Sequence, residues 1–157
     1  MQRLMRVLLW TATILLMLLI FGFSSETAEE SDSTSAIITR PVTELLAKTQ
    51  GSITAEEKER LYTSVDHTIR KTAHFCEYAL LGLLAFLLLR SYGLRAWWLA
   101  WLLTTLYAVT DEVHQLFLNG RAGQLSDVLL DSFGAFCGVM LVRLTDYLRR
   151  NQHVSDQ

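Results

Sequence analysis

The chain has 157 residues, enough for one domain, and 51% of them are hydrophobic with a single proline, which favours a helical protein. Its net charge of -2 is carried without any basic patch, so nucleic-acid binding has no support. Only two cysteines occur, Cys76 and Cys137, at no spacing that suggests zinc or a redox motif; both fall in apolar segments, where they are expected as buried thiols.

Residues 7–23 (VLLWTATILLMLLIFGF) carry no charge. At about 1.5 Å per residue they reach about 25 Å, just enough to cross a bilayer core of about 30 Å with flanking help. This run exceeds the roughly 7 to 15 residues of a signal-peptide core, and SSETAEE after it offers no A-x-A site, so an uncleaved first span is expected. An outer loop, 24–71, follows. Its start, SSETAEESDSTS, is polar and acidic and predicts a flexible linker. PVTELLAKTQ predicts a short helix ended near Gly51, and Thr54 to Glu57 matches a capping box at the start of another, with Leu61, Val65 and Ile69 as its apolar edge. That second helix is expected on the outer membrane surface or over the bundle before the chain turns into span two.

Three further apolar blocks predict spans at about 72–89, 96–118 and 125–144. Each carries a polar stripe near one end. In span two, Arg70, His74, Glu77 and Leu81 recur at helical intervals, with Lys71 and Tyr78 beside them. In span three, Thr104, Tyr107, Asp111, His114 and Gln115 share a face, and Glu112 lies about 100° away. Span four sets Asp127 and Asp131 above Gly134 and Gly138 on one face, the glycines forming GAFCG, a G-x-x-x-G pattern that lets helix backbones approach.

Basic residues set membrane orientation. Arg3 and Arg6 precede span one, Arg90 and Arg95 sit between spans two and three, and Arg143, Arg149 and Arg150 close the chain. These places are expected to be cytoplasmic, with both termini inside. Residues 24–68, between spans one and two, hold nine acidic residues against four basic ones and suit the outside. The expected fold is therefore all-α, one domain over 1–157: a four-helix transmembrane bundle with a short helical extracytoplasmic segment between helices 1 and 2.

By topology and helix phase the polar stripes fall in the outer third of this bundle, where charged groups are expensive unless they have a use. Three chemistries compete. An anion site would use Arg70, Lys71 and Arg121, with the histidines and carboxylates exchanging protons. A metal site could use His74 with Glu77 and Asp111 with His114, but three nearby cations compete for the same carboxylates. A neutralised ion-pair network would fix helix register without chemistry. No Gly-rich phosphate loop or serine nucleophile elbow is present.

RKTAHFCEYALLG followed by DEVHQLFLNGRAGQLSDVLLDSFGAFCG closely resembles the VanZ-like family of small bacterial membrane proteins, named for a protein associated with teicoplanin resistance. The matching positions are Phe21, Ser24 and Ser25; Arg70, Lys71, His74, Glu77 and Tyr78; Asp111, Glu112, His114, Gln115 and Phe117; Gly120 and Arg121; then Asp127, Asp131, Gly134 and Gly138. Two positions depart: Glu26 stands where glutamine is usual, and Asn119 where proline is usual. The resemblance implies a multi-pass protein of the bacterial inner membrane, linked to the cell envelope and to lower glycopeptide susceptibility, with no reaction attached.

The combined expectation is an outward-facing site that binds an anionic envelope lipid or lipid-linked glycan, with catalysis left open. His74, Glu77, Asp111, His114 and Asp131 are the expected catalytic residues. Arg70, Lys71, Tyr78, Glu112, Gln115, Arg121 and Asp127 are expected to bind substrate. No metal and no cofactor are assigned. The expected partners are membrane lipids or lipid-linked precursors, other membrane proteins being a second class. The alternative is a non-enzymatic scaffold or shield whose polar cluster is structural.

Overall fold

The computed structural model describes residues 1–26, 28–51, 53–117 and 124–155. Five helices form, and no strand among the described residues: α1 (Gln2–Ser24), α2 (Ala28–Gln50), α3 (Ala55–Ser91), α4 (Trp97–Gln115) and α5 (Leu125–Ser155). Three segments, Gln2–Ser24, Ala55–Ser91 and Leu125–Asn151, are long and apolar enough to cross a membrane. The third of the four expected spans, α4, is not among them. Helix α4 falls short because Thr104, Asp111, Glu112 and Gln115 are part of its 19 residues; they are turned into the bundle, while Leu102, Leu103, Leu106, Val109 and Val113 face outward.

The segment before α3 corrects two further expectations. The presumed linker is helical from Ala28, and Pro41 lies inside α2 instead of opening a helix. Composition offered this segment little to bury, but α3 supplies partners. Ser35 and Thr39 donate hydroxyl hydrogen bonds to Asp66 Oδ1 at 2.5 and 2.9 Å, and Asp32 accepts one from Arg70 Nη1 at 2.9 Å. Gly51, at a positive φ of 82°, follows the end of α2 as the sequence suggested. The capping box also forms: Thr54 Oγ1 accepts from the Glu57 amide, and Glu57 Oε2 accepts from the Thr54 amide. From there α3 runs 37 residues without a turn, about 55 Å, well beyond the roughly 30 Å of a bilayer core. Its first half thus extends the bundle and carries α2 on its side.

Contacts fix the directions of the other helices. Arg6 Nε donates to the Ser91 carbonyl at one end, and Ile20 packs with Tyr78, Leu81 and Ala108 nearer the other, so α1 is antiparallel to α3. Tyr107 donates to the Met17 carbonyl at 2.7 Å and Gln115 to Ser24 at 2.9 Å, so α4 runs parallel to α1. Helix α5 runs parallel to α3. A second core of Phe86, Ala100, Val139 and Val142 fills the bundle toward the end where basic residues gather. There Arg90 pairs with Asp146 at 2.9 Å, and Arg6 and Arg143 lie over the rings of Tyr92 and Trp97. Both cysteines are free; Cys137 is partly buried, but Cys76 is exposed on α3, against the expectation of a buried thiol.

The α3–α5 seam is the closest in the bundle. A Cβ on Gly138 would stand 1.8 Å from the Ala79 carbonyl oxygen, one on Gly134 would stand 2.5 Å from that of Phe75, and one on Gly82 would stand 2.4 Å from that of Ala135. Backbone meets backbone here, so no side chain can swing away to make room. The G-x-x-x-G reading of the sequence therefore holds, with Gly82 as its counterpart across the seam. Gly138→Leu should force the two helices apart and destabilise the protein by at least the 1–3 kcal/mol usual for overpacking, about the top of that range or more. Gly22→Ala, with nothing within 4 Å of the added carbon, should stay within about 0.5 kcal/mol of the parent. Thermal unfolding of the two variants in detergent checks the contrast.

Candidate functional site

The end opposite the basic cluster gathers the polar stripes. Helix α1 ends in Phe21, Ser24 and Ser25, and each meets α4. The Phe21 ring stacks on His114 with centroids 4.8 Å apart, Ser25 Oγ lies 3.3 Å from His114 Nε2, and the buried Gln115 amide donates to Ser24 Oγ at 2.9 Å. His114 is thereby held against α1. This arrangement explains why the chain places two serines at the exit of an apolar helix, a pair that sequence reasoning had left out of the site.

On the other side, α3 faces α5. Lys71 Nζ pairs with Asp127, and His74 Nδ1 lies 3.9 Å from Asp131 Oδ2. Lys71, His74, Gln115, Asp127, Leu130 and Asp131 line a small cleft of about 30 Å³. A single water requires roughly 10–15 Å³ by this measure, so the cleft admits one or two small groups. Behind it Tyr78 is fully buried with its ring 6.2 Å from that of Tyr107. Glu77 lies within electrostatic reach of Asp111, and Asp131 within reach of Asp111, Asp127, Glu112 and Glu77. Glu112 is buried and accepts the Gln124 backbone N–H at 2.6 Å, capping the start of α5 rather than standing apart from the cluster.

Arg70 is not brought to the cleft. Its guanidinium turns to Asp32 at 2.9 Å and Asp66 at 3.8 Å, toward α2. The Asp66 contact was readable, since the two residues are four apart on one helix; the Asp32 contact needed α2 to fold back. Arg121 lies outside the described residues. Sequence reasoning also passed over Ser132, which is buried, accepts from Trp101 Nε1 at 3.1 Å and shares a 2.9 Å hydrogen bond with Thr105, tying α4 to α5 just below Asp131. No charge marked it in the sequence.

At this end, among the described residues, the buried atoms Tyr78 Oη, Asp111 Oδ1 and Asp131 Oδ1 stand without a hydrogen-bond partner, on aspartates only 5% and 3% exposed. Native interiors satisfy nearly all such atoms, so a cluster of three at one level asks for a ligand or water. Among the described residues no three His, Cys, Asp or Glu side chains converge on a point where a metal ion could sit. The arrangement offers a cation, Lys71, beside an imidazole and a carboxylate that can exchange protons with a bound group.

The Gln115–Ser24 hydrogen bond is the buried one of the ties between α4 and α1 at this end. Ser24→Ala and Gln115→Ala should each lower the melting temperature, and a double-mutant cycle should return a coupling of about 1 kcal/mol. Strict additivity would show that the tie contributes nothing.

A family model described as VanZ/LLP1 matches residues 9–146. No curated protein and no solved structure matches the chain. The matched region contains the glycine seam, the cleft and both serines of α1, and the chain belongs to the VanZ/LLP1 family.

Proposed function

We propose that this chain is a multi-pass protein of the bacterial cell membrane whose polar end faces outward and binds the phosphate-bearing head group of an anionic envelope lipid or lipid-linked glycan. The observation that carries the reading is the cleft between α3 and α5. It joins a cation to buried carboxyl groups at the end of an apolar bundle, where unpaired polar atoms are expensive and mark function. Orientation follows from charge: Arg6, Arg90 and Arg143 cluster at the opposite end, which suits the cytoplasmic side, and both termini go with it. Helix α4 serves as the fourth span, its apolar face toward lipid and its polar face inward.

In this reading Lys71 holds the phosphate. Its partner Asp127 is about one-third exposed, so an incoming anion can take that place. Arg70 gives up the binding role expected of it and braces α2. His74, facing Asp131, exchanges a proton with the bound head group, and Glu77, Asp111 and Glu112 shape the field around it. His114 positions α4 through Phe21 and Ser25. Through this lipid the protein lowers susceptibility to teicoplanin-type glycopeptides.

One observation favours a second reading, a non-enzymatic scaffold: Arg70 and Lys71 already have carboxylate partners, as a structural network requires. The two readings part on stability. Lys71→Met and Asp131→Asn, inserted at parental levels, should lose co-purifying lipid and raise teicoplanin susceptibility while keeping a melting temperature close to the parent. Loss of function in step with loss of melting temperature would select the scaffold.

A further inference from the structure

We propose that the group entering the α3–α5 cleft is a primary ammonium carried on the phosphate-bearing head group, with its nitrogen at Asp131 and its phosphate at Lys71. The inference rests on the lipid reading above and narrows its ligand. Size comes first. The cleft of about 30 Å³ accepts one or two groups the size of a water or an ammonium, and a phosphate with four oxygens stays at its mouth.

Charge points the same way. Asp131 is surrounded by Asp111, Asp127, Glu112 and Glu77, all within electrostatic reach. The one described lysine of the cleft, Lys71, is engaged by Asp127. His74 faces Asp131 from α3 at 3.9 Å, beyond hydrogen-bond distance. An inserted anion would add to this negative field, whereas a cation would relieve it.

Hydrogen bonding then selects among cations. Asp131 lines the cleft, is 3% exposed, and has no donor at Oδ1. An ammonium at this position would hold Asp131 in its ionised form, whose oxygens accept and cannot donate, so the partner it brings is an N–H. A primary ammonium supplies three donors and a positive charge at once; a quaternary ammonium supplies charge and no donor. A bare metal ion is disfavoured by ligand geometry, since no three carboxylate or histidine donors converge among the described residues.

The purified full chain can be titrated in detergent with phosphatidylethanolamine, phosphatidylcholine and phosphatidylglycerol of identical acyl chains, with bound lipid read by native mass spectrometry. The expected order places phosphatidylethanolamine about tenfold or more ahead of the choline lipid, a difference well within what one charge-assisted hydrogen bond supplies. Asp131→Asn should erase that preference, and Lys71→Met should weaken all three lipids together. Equal binding of the ethanolamine and choline lipids, or a lead for phosphatidylglycerol over phosphatidylethanolamine, overturns the ammonium while leaving a Lys71-dependent phosphate site standing. Binding of none of the three overturns both. The comparison uses the parent protein, so it stands even if a variant fails to fold.

Discussion

Everything at the polar end depends on how closely α3 and α5 approach. Gly134 and Gly138 on one side and Gly82 on the other let carbonyls of each helix sit where a Cβ would be. Because the two helices run parallel in fixed register, that contact determines which residues face each other above it: Lys71 meets Asp127 and His74 meets Asp131. In lipid there is no hydrophobic drive to press helices together, and close packing of small residues takes that part. The carboxylates are then carried into the interior by the same geometry that packs the seam, and their desolvation is sustained by it.

The other helices complete the enclosure by polar ties rather than by apolar packing alone. Ser24 and Ser25 bind Gln115 and His114 across α1 and α4, and Ser132 links α5 to Trp101 and Thr105 of α4. Outside the bundle, α2 lies along α3 through hydroxyl groups gathered on Asp66, with Arg70 joined to both Asp32 and Asp66. Helix α2 turns Thr39 and Thr43 inward and leaves Ile37, Ile38 and Leu45 exposed beside Arg40, Glu44 and Lys48. The hairpin of α2 and α3 thus turns Arg70 away and leaves Lys71 at the cleft.

Much of this was legible because it is periodic or local. Apolar runs marked α1 and α5, the helical recurrence of Arg70, His74 and Glu77 with Lys71 beside them marked one polar edge, and the Thr54–Glu57 capping box gave the start of α3 to the residue. What misled was composition taken alone. An acidic, serine-rich stretch read as a linker is helical where its Ser35 hydroxyl finds Asp66, 31 residues away in sequence, and its Asp32 finds Arg70. A turn expected before span two is absent because nothing between Thr54 and Ser91 breaks the helical pattern. Composition also hides that Thr104, Asp111, Glu112 and Gln115 of α4 lie on the side the bundle covers.

The sequence by itself determined the helical class, the family pattern, the polar positions and the small residues that permit a tight seam, because each depends on residue type and on spacing within one helix. Only the tertiary structure decided which of those polar groups share a cleft. It separated Arg70 from Lys71, though they are adjacent in the chain, since neighbouring side chains on a helix point about 100° apart and here one faces α2 and the other α5. It also left Asp111 and Asp131 buried with oxygens unpaired, since satisfaction of a buried atom depends on what the other helices bring to it.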